Sequence, residues 1–475
     1  MRVTIDLHDL GPLSSVPTAL IAPAPATGPS RLLVLQNPGR VSRHYLEGLI
    51  NAASRLGIEH RVCELEPIWE RKHHDIAGLT GAMTDLIRQQ GIRVVLSYIC
   101  NGMTDFECRD LGGGRVQSLF EQLGVRHLML WTDHPQWANQ KNALIPQLQP
   151  LLRSANNVHF VKSEAAAIEL RELLGWANCF SLPMGEDAEI LRPVEGVTPD
   201  YDLAAIVGSP PQPIPLLEPF LEHDEPDQEV MVSLVAQDVR TELDRIWDRD
   251  VPPELRLQLH KLGRDWLDRR ASDLETASVR HLPQLESDHP AAVAWLRVHP
   301  TTYFDAVEQL WRLTGWQRTF YIRYLARHFC VAVFGSDWSS VGVPGGGWVP
   351  YHDQPHYYAR AKVALNISQA GEEEGMSHKP FQIAASGVAM AHVYRKGLED
   401  CFEIDREIMA FHTPAEARQA VATLIRDDDL RAELAHAARR RLERDHTWDR
   451  RLIDMFQRAG LDFNAFNSNA HCLAR

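Results

Sequence analysis

From residue 31 to residue 182 the chain keeps returning to one pattern, a short apolar run followed by a turn and a helical stretch. Arg31–Leu35 reads as a buried strand, Ser42–Leu56 as a helix ending at Gly57, and Glu59–Leu65 as the next strand. Helix His74–Gln90, strand Arg93–Ile99, helix Val116–Leu123 and strand His127–Trp131 follow, then strand Asn157–Val161, helix Glu164–Leu174 and strand Cys179–Leu182. Strands that alternate with helices over short connections pair in parallel, with helices on both faces of the sheet. Residues 31–195 are therefore expected to form a doubly wound, Rossmann-like domain. Residues 1–30 precede it as an edge strand, Arg2–Leu7, and a Pro/Ala-rich linker.

A second series starts at Tyr201, where YDLAAIVGS reads as a strand ending in Gly208-Ser209. Residues 211–325 then show no strand pattern and read as helices rich in Leu, Trp, Arg and Asp. Strands resume at Val331–Phe334, Lys362–Ser368 and Val388–Val393, and the chain from Pro414 is helical. The expectation is a second Rossmann-like domain, 196–456, with a helical insertion at about 211–325 and a tail at 457–475. At 475 residues two domains are the default.

The chemistry concentrates after the 362–368 strand. An acidic loop, Gly371-Glu372-Glu373-Glu374-Gly375, leads to Ser377, a candidate helix cap, and Pro380, which suits a first turn. Gly387 reads as a left-handed helix stop. Lys379 and Gln382 lie three apart and so share a helical face. A cation and an amide near a helix start, beyond a strand end, suit a phosphate or diphosphate.

These residues resemble the donor-nucleotide site of GT-B glycosyltransferases, and most closely the CgeB-like (spore-maturation) family. The family's E-x7-E spacing is kept as Glu374 and Gln382, followed by Ala384-Ala385-Ser386-Gly387. The resemblance implies that Glu374 faces the donor sugar and Gln382 the ribose, with Gln in place of a charged Glu. Lys379 stands where Arg is usual and would meet the diphosphate as a point charge. Gly335-Ser336-Asp337-Trp338 matches the family's G-x-x-W, and His446-Thr447-Trp448 with Arg451 matches its closing H-T-[YW]-x-x-R. Glu407 fits its F-x-x-G-x-E segment, with Asp405 where Gly is usual. Pro183-Met184-Gly185-Glu186-Asp187 is similar to the segment that leads out of the first domain.

The resemblance thus implies two Rossmann-like domains facing across a cleft and sugar transfer from a nucleotide-sugar donor to a cell-envelope glycan, glycoconjugate or protein. Lys379, Gln382, Gly208, Ser209, Gly335, Ser336, Ser386 and Glu407 would line the donor side, with Trp348, Val349 and Pro350 near the base. Asp133 or His134, at a strand end of the first domain, would deprotonate the acceptor; the alternative is a helix cap and a turn residue. Neither a cofactor nor a metal is implied, the nucleotide sugar being the substrate.

Composition narrows the field. A net charge of −14 argues against a broad nucleic-acid footprint. Seven scattered cysteines without a CxxC suit reduced thiols. Residues 1–30 lack the continuous apolar core of a signal peptide and no run reaches membrane-span length, which points to a cytoplasmic protein. Arg439-Arg440-Arg441 reads as a solvated helix face, with peripheral membrane contact as the alternative. No HExxH, Cys/His cluster, GxGxxG or GxSxG appears. Two other classes remain open: a GT-B-fold epimerase, and a non-catalytic nucleotide-binding or scaffold protein in which the insertion is the working part.

Overall fold

The computed structural model describes residues 4–5, 30–136, 144–211 and 213–467. The chain divides into two compact units, residues 1–162, 166–182 and 448–475 in the first and residues 163–165 and 183–447 in the second.

The first unit is built on strands β1 (Thr4–Ile5), β2 (Arg31–Gln36), β3 (His60–Glu64), β4 (Ile92–Tyr98), β5 (Arg109–Gly112), β6 (Arg115–Gln117), β7 (Arg126–Leu130), β8 (Asn157–Val161) and β9 (Cys179–Ser181). Seven of them form one sheet in the order β1-β3-β2-β4-β7-β8-β9, every neighbour parallel. Leu32 to Leu35 are fully buried, as strands covered on both faces must be. Helix Arg40–Arg55 covers one face with Leu46, Leu49, Ile50, Ala52 and Ala53. Each buried Leu or Ile is worth about 1.5–3 kcal/mol against exposure.

The expected helix Val116–Leu123 is mostly something else. Residues 109–117 form an antiparallel hairpin, and only Leu119–Gln122 is helical. Gly112, Gly113 and Gly114 all take positive φ, a turn that only a glycine run makes without strain. The end of the chain returns to this unit. Helix Trp448–Arg458 lies so close to helix Arg40–Arg55 that a Cβ on Gly48 would fall 2.2 Å from the Trp448 ring. Residues 463–467, expected as part of a tail, pack here too, with Glu59 N–H donating to Phe466 O at 3.0 Å.

The second unit holds β10 (Tyr201–Ile206), β11 (Val331–Phe334), β12 (Ala361–Asn366), β13 (Ala389–Val393) and β14 (Met409–Phe411). They form a parallel sheet in the order β11-β10-β12-β13-β14. The order reverses between β10 and β12, where a doubly wound sheet opens a crevice beyond its strand ends. Between β10 and β11 runs the helical insertion, with helices Gln228–Asp250, Pro253–Ser272, Leu282–Asp288, Pro290–Val298, Pro300–Gly315 and Gln317–Leu325. It has a core of its own, in which Trp247, Trp266 and Trp311 are buried, and Gly263 lets the Trp247 ring against the Pro253–Ser272 helix.

Candidate functional site

In the second unit, β12 and β13 lead into the expected site. Asn366 and His392 are paired across these strands, and Asn366 Nδ2 lies 2.8 Å from His392 Nε2. Burial pushes the His392 imidazole down to about 4, so it is a neutral strut. After β12, Ser368 is buried with its hydroxyl unpartnered at the crevice between β10 and β12.

Helix Lys379–Ala385 follows the acidic loop. Ser377 does not cap it, because the helix starts one residue later and His378 holds the cap position without a side-chain cap bond. Pro380 sits in the first turn, and Gly387 takes φ 69° just past the end. His378 organises the centre of the site. Its Nε2 lies 2.9 Å from Gly185 O and 2.9 Å from Glu186 Oε2, while its Nδ1 lies 3.0 Å from Gln382 Nε2. Glu186 is fully buried, and the Tyr351 hydroxyl donates to its other oxygen. Gln382 Oε1 is buried without a partner.

Lys379 is half-buried, and its ammonium donates to Gln354 Oε1 at 3.3 Å. Desolvation pushes its pKa down to about 8, opposed by the Glu186 carboxylate and assisted by repulsion from Arg318. Arg318, half-buried, spends Nε and Nη2 on Ile367 O at 3.2 and 3.0 Å. Two cations thus lie close enough to feel each other at the helix start. An anion there would relieve both.

The carboxylate of Glu374, expected to face a donor sugar, is held from the insertion. Arg280 takes both oxygens of Glu374, at 2.6 and 2.8 Å, and Ala277 N–H donates to one of them at 3.1 Å. Glu373 accepts from Arg270 Nε, from Ser278 N–H and from the Ser278 hydroxyl. Residues 270–280 of the insertion therefore hold two of the three loop carboxylates. Glu372 turns back on its own loop and accepts from Gln369 N–H at 3.1 Å.

The remaining donor-side residues are dispersed in role. Gly208 and Ser209 are exposed at the end of β10, and Gly208 O accepts from Trp338 Nε1 at 2.9 Å. Gly335 is buried, and a Cβ on it would lie 2.3 Å from Val207 O, so glycine is required where these two loops meet. Ser336 is exposed beside Asp337, which takes φ 64°. The glycine-rich segment is pinned, with Gly346 N–H donating to Val333 O at 2.7 Å and Trp348 left 51% exposed. The Ser386 hydroxyl is spent on Gln382 O at 2.8 Å. Glu407 caps its own turn by accepting from Glu403 N–H at 2.7 Å. Arg439 and Arg441 are not a solvated face: Arg439 donates to the carbonyls of Ala385, Leu191 and Ala188, and Arg441 to that of Cys401.

In the first unit, Thr132 and Asp133 follow β7. Tyr98 ends β4, and its hydroxyl lies 2.9 Å from Thr132 Oγ1. Burial and the Asp133 charge both push the Tyr98 pKa up. His134 is committed on both ring nitrogens, Nε2 to Glu169 at 2.8 Å and Nδ1 to Gln136 N–H at 3.2 Å, so it offers no free base. Ile99 takes φ 47°, a strained value for a β-branched residue, and its carbonyl is held by the Ser97 hydroxyl at 2.8 Å.

The sequence did not single out His378, Glu186, Tyr351, Gln354 or Arg318. Glu186 lay within a recognised segment, but nothing in its spacing told of a partner 165 residues away.

Residues 318–457 match a protein-family model described as glycosyl transferase-like. No curated protein is significantly similar to the chain. Among solved structures, sucrose-phosphate synthase from Thermosynechococcus elongatus is similar at 12% identity and a TM-score of 0.46, over 90% of this chain and 98% of that one. Anabaena HepE in complex with UDP-glucose is similar at 10% identity and a TM-score of 0.46, over 90% and 98%. A glycosyltransferase from Rickettsia africae is similar at 10% identity and 0.44, over 91% and 98%.

Proposed function

We propose that the chain is a nucleotide-sugar-dependent, metal-independent glycosyltransferase of GT-B type and CgeB-like affinity. Its acceptor would be a cell-envelope glycan, glycoconjugate or protein. The observation that carries the reading is Lys379, a desolvated cation paired in space with Arg318 at the start of a helix inside the glycosyl transferase-like segment. The leaving diphosphate would sit against Lys379 and Arg318, where the low dielectric strengthens each contact and no reorganisation is needed. Gln382, its Oε1 unspent, would accept from a ribose hydroxyl. Asp133 would take the acceptor proton, since His134 has both nitrogens occupied. Glu374 enters as a loop anchor rather than as a group that meets the sugar.

A non-catalytic nucleotide-binding role is the second reading. It is favoured by the locked Glu374 and the uncharged Gln382, the two positions at which transferases of this type present carboxylates.

The test is a thermal-shift screen against UDP, GDP, CMP, dTDP and ADP, with and without divalent ions, followed by acceptor-dependent release of free nucleotide. A ligand that binds only the folded state raises the melting temperature. One stabilising nucleotide with turnover supports the transferase. Binding without turnover on any acceptor supports the second reading, and no shift with any nucleotide overturns both.

A further inference from the structure

The His378 imidazole is held at both of its nitrogens. Nε2 lies 2.9 Å from Gly185 O and 2.9 Å from Glu186 Oε2. A carbonyl oxygen can only accept, so Nε2 carries the proton. The Tyr351 ring lies against the imidazole, with centroids 6.2 Å apart and planes 13° from parallel. Glu186 is fixed in turn, since its Oε1 accepts from Asp187 N–H at 2.7 Å and from the Tyr351 hydroxyl. With the proton on Nε2, the other ring nitrogen, Nδ1, is an acceptor.

Gln382 stands one helical turn further on, its backbone N–H donating to His378 O at 3.3 Å. Nδ1 of His378, 3.0 Å from the Gln382 amide, can accept only from the amide nitrogen. The amide is therefore turned with Oε1 away from the imidazole. Gln382 is 4% exposed, and Oε1 has no partner among the described residues. A buried acceptor left unpaired is costly and calls for an explanation. Its polarity is the informative part. A carbonyl oxygen takes a hydroxyl, and it repels a phosphate oxygen or a carboxylate. Lys379, three residues earlier, shares this side of the helix and has the opposite preference.

We propose that His378 is a positioning residue that fixes the Gln382 amide with Oε1 outward, so that a bound nucleotide must donate a ribose hydroxyl to it. The proposal rests on the nucleotide reading above and adds the residue that sets the direction of this hydrogen bond. His378 touches no ligand itself. Helix Lys379–Ala385 then carries two contacts of opposite polarity, a cation for the diphosphate and an oxygen for a hydroxyl donor. A nucleotide without ribose hydroxyls leaves Oε1 unpaired and binds less well.

The first measurement needs no ligand. Long-range proton–nitrogen correlation on the full chain with isotope-labelled histidine reads the tautomer of each ring, and His378→Asn identifies the signals of His378 by their loss. The expected result is a protonated Nε2 and a bare Nδ1. A proton on Nδ1 would turn the amide round and overturn the proposal. The second measurement is calorimetric titration of UDP, GDP, ADP, CMP and dTDP, each against the same nucleotide stripped of its ribose hydroxyls. A nucleotide that binds should lose about tenfold in affinity on stripping, the loss of one hydrogen bond. Equal affinities would overturn this proposal and leave the nucleotide reading standing. No binding by any parent nucleotide would overturn that reading and the proposal with it. In His378→Phe the preference for the parent nucleotide should vanish while the stripped one binds as before. His378→Asn, whose Oδ1 can accept in place of Nδ1, should restore most of the preference. Equal weakening of parent and stripped nucleotide in His378→Phe would make His378 a packing residue and overturn the proposal. Where His378→Phe does not fold, the tautomer and the wild-type comparison decide.

Discussion

Arg280 grips both carboxylate oxygens of Glu374 from 94 positions earlier in the chain, at 2.6 and 2.8 Å. The pair is lopsided in exposure, with the Glu374 side chain 5% exposed and Arg280 32%. Removing the arginine strands a buried carboxylate, which costs more than the pair contributes. Arg280→Met should therefore destabilise the second unit by about 2–3 kcal/mol, less than for a fully buried pair because water reaches the arginine. Glu374→Gln, which keeps acceptors for Ala277 N–H and Arg280, should cost less. Urea unfolding of both variants checks the order, and a harmless Arg280→Met would mean that the insertion does not hold the loop.

Lys379 yields a pH prediction. Its pKa of about 8 in the folded protein lies below the ordinary 10.5, so the fold disfavours the charged form. Between about pH 8 and 10.5 the unfolded chain holds a proton that the folded one has released, so this group's contribution to stability rises with pH across that window. Ligand affinity runs the other way. If the ammonium meets a diphosphate, affinity is fullest below about pH 8 and falls above it. Calorimetric titration of the stabilising nucleoside diphosphate from pH 7 to 9.5 should show the fall, and Lys379→Arg should flatten it. A flat wild-type profile would remove Lys379 from the site.

Much of this was legible in the sequence, for a physical reason. Parallel strands buried on both faces must be apolar, so β2, β4, β7 and β8 stood out, and so did the helical character of the insertion. Gly387 was legible because a left-handed φ demands glycine, whereas Gly335 was legible only as a donor-site residue and its close approach to Val207 O was not. Asp405 shows the limit of that logic. It stands where the family carries glycine, yet it takes φ 64° all the same, as Asp can. What stayed hidden depends on contacts between distant positions. Glu374 has the right spacing for a sugar ligand and is bound by Arg280, and His378 carries no sequence signal until Glu186 and Gln382 are seen on its two nitrogens.

Gly335→Ala separates architecture from ligand binding. The new methyl would lie 2.3 Å from Val207 O and 3.2 Å from Gly208 O, and backbone atoms do not yield as a side chain does. The expected cost is about 1–3 kcal/mol of stability, the usual range for overpacking. The loss should appear equally with and without nucleotide. Circular-dichroism melts under both conditions test this, and a variant of normal stability with selectively weakened nucleotide binding would make Gly335 a ligand contact instead.

Glu186→Gln probes the link between the segment that enters the second unit and the cation at the helix start. Glu186 supports the charge on Lys379 and accepts from Tyr351, and His378 Nε2 lies beside its second oxygen. The amide can still accept from the Tyr351 hydroxyl, so the fold should survive, but it no longer favours the ammonium. The Lys379 pKa should then move below 8, and the fall in nucleotide affinity should move to lower pH with it. Tyr351→Phe makes the complementary change. It leaves the carboxylate charged but takes away its hydroxyl donor, at a cost of about 1–3 kcal/mol in stability, while the midpoint of the pH profile should hold or rise. Opposite movement of stability and midpoint in the two variants is what an electrostatic link requires. A shared loss of stability with no shift in either midpoint would reduce Glu186 to a packing residue.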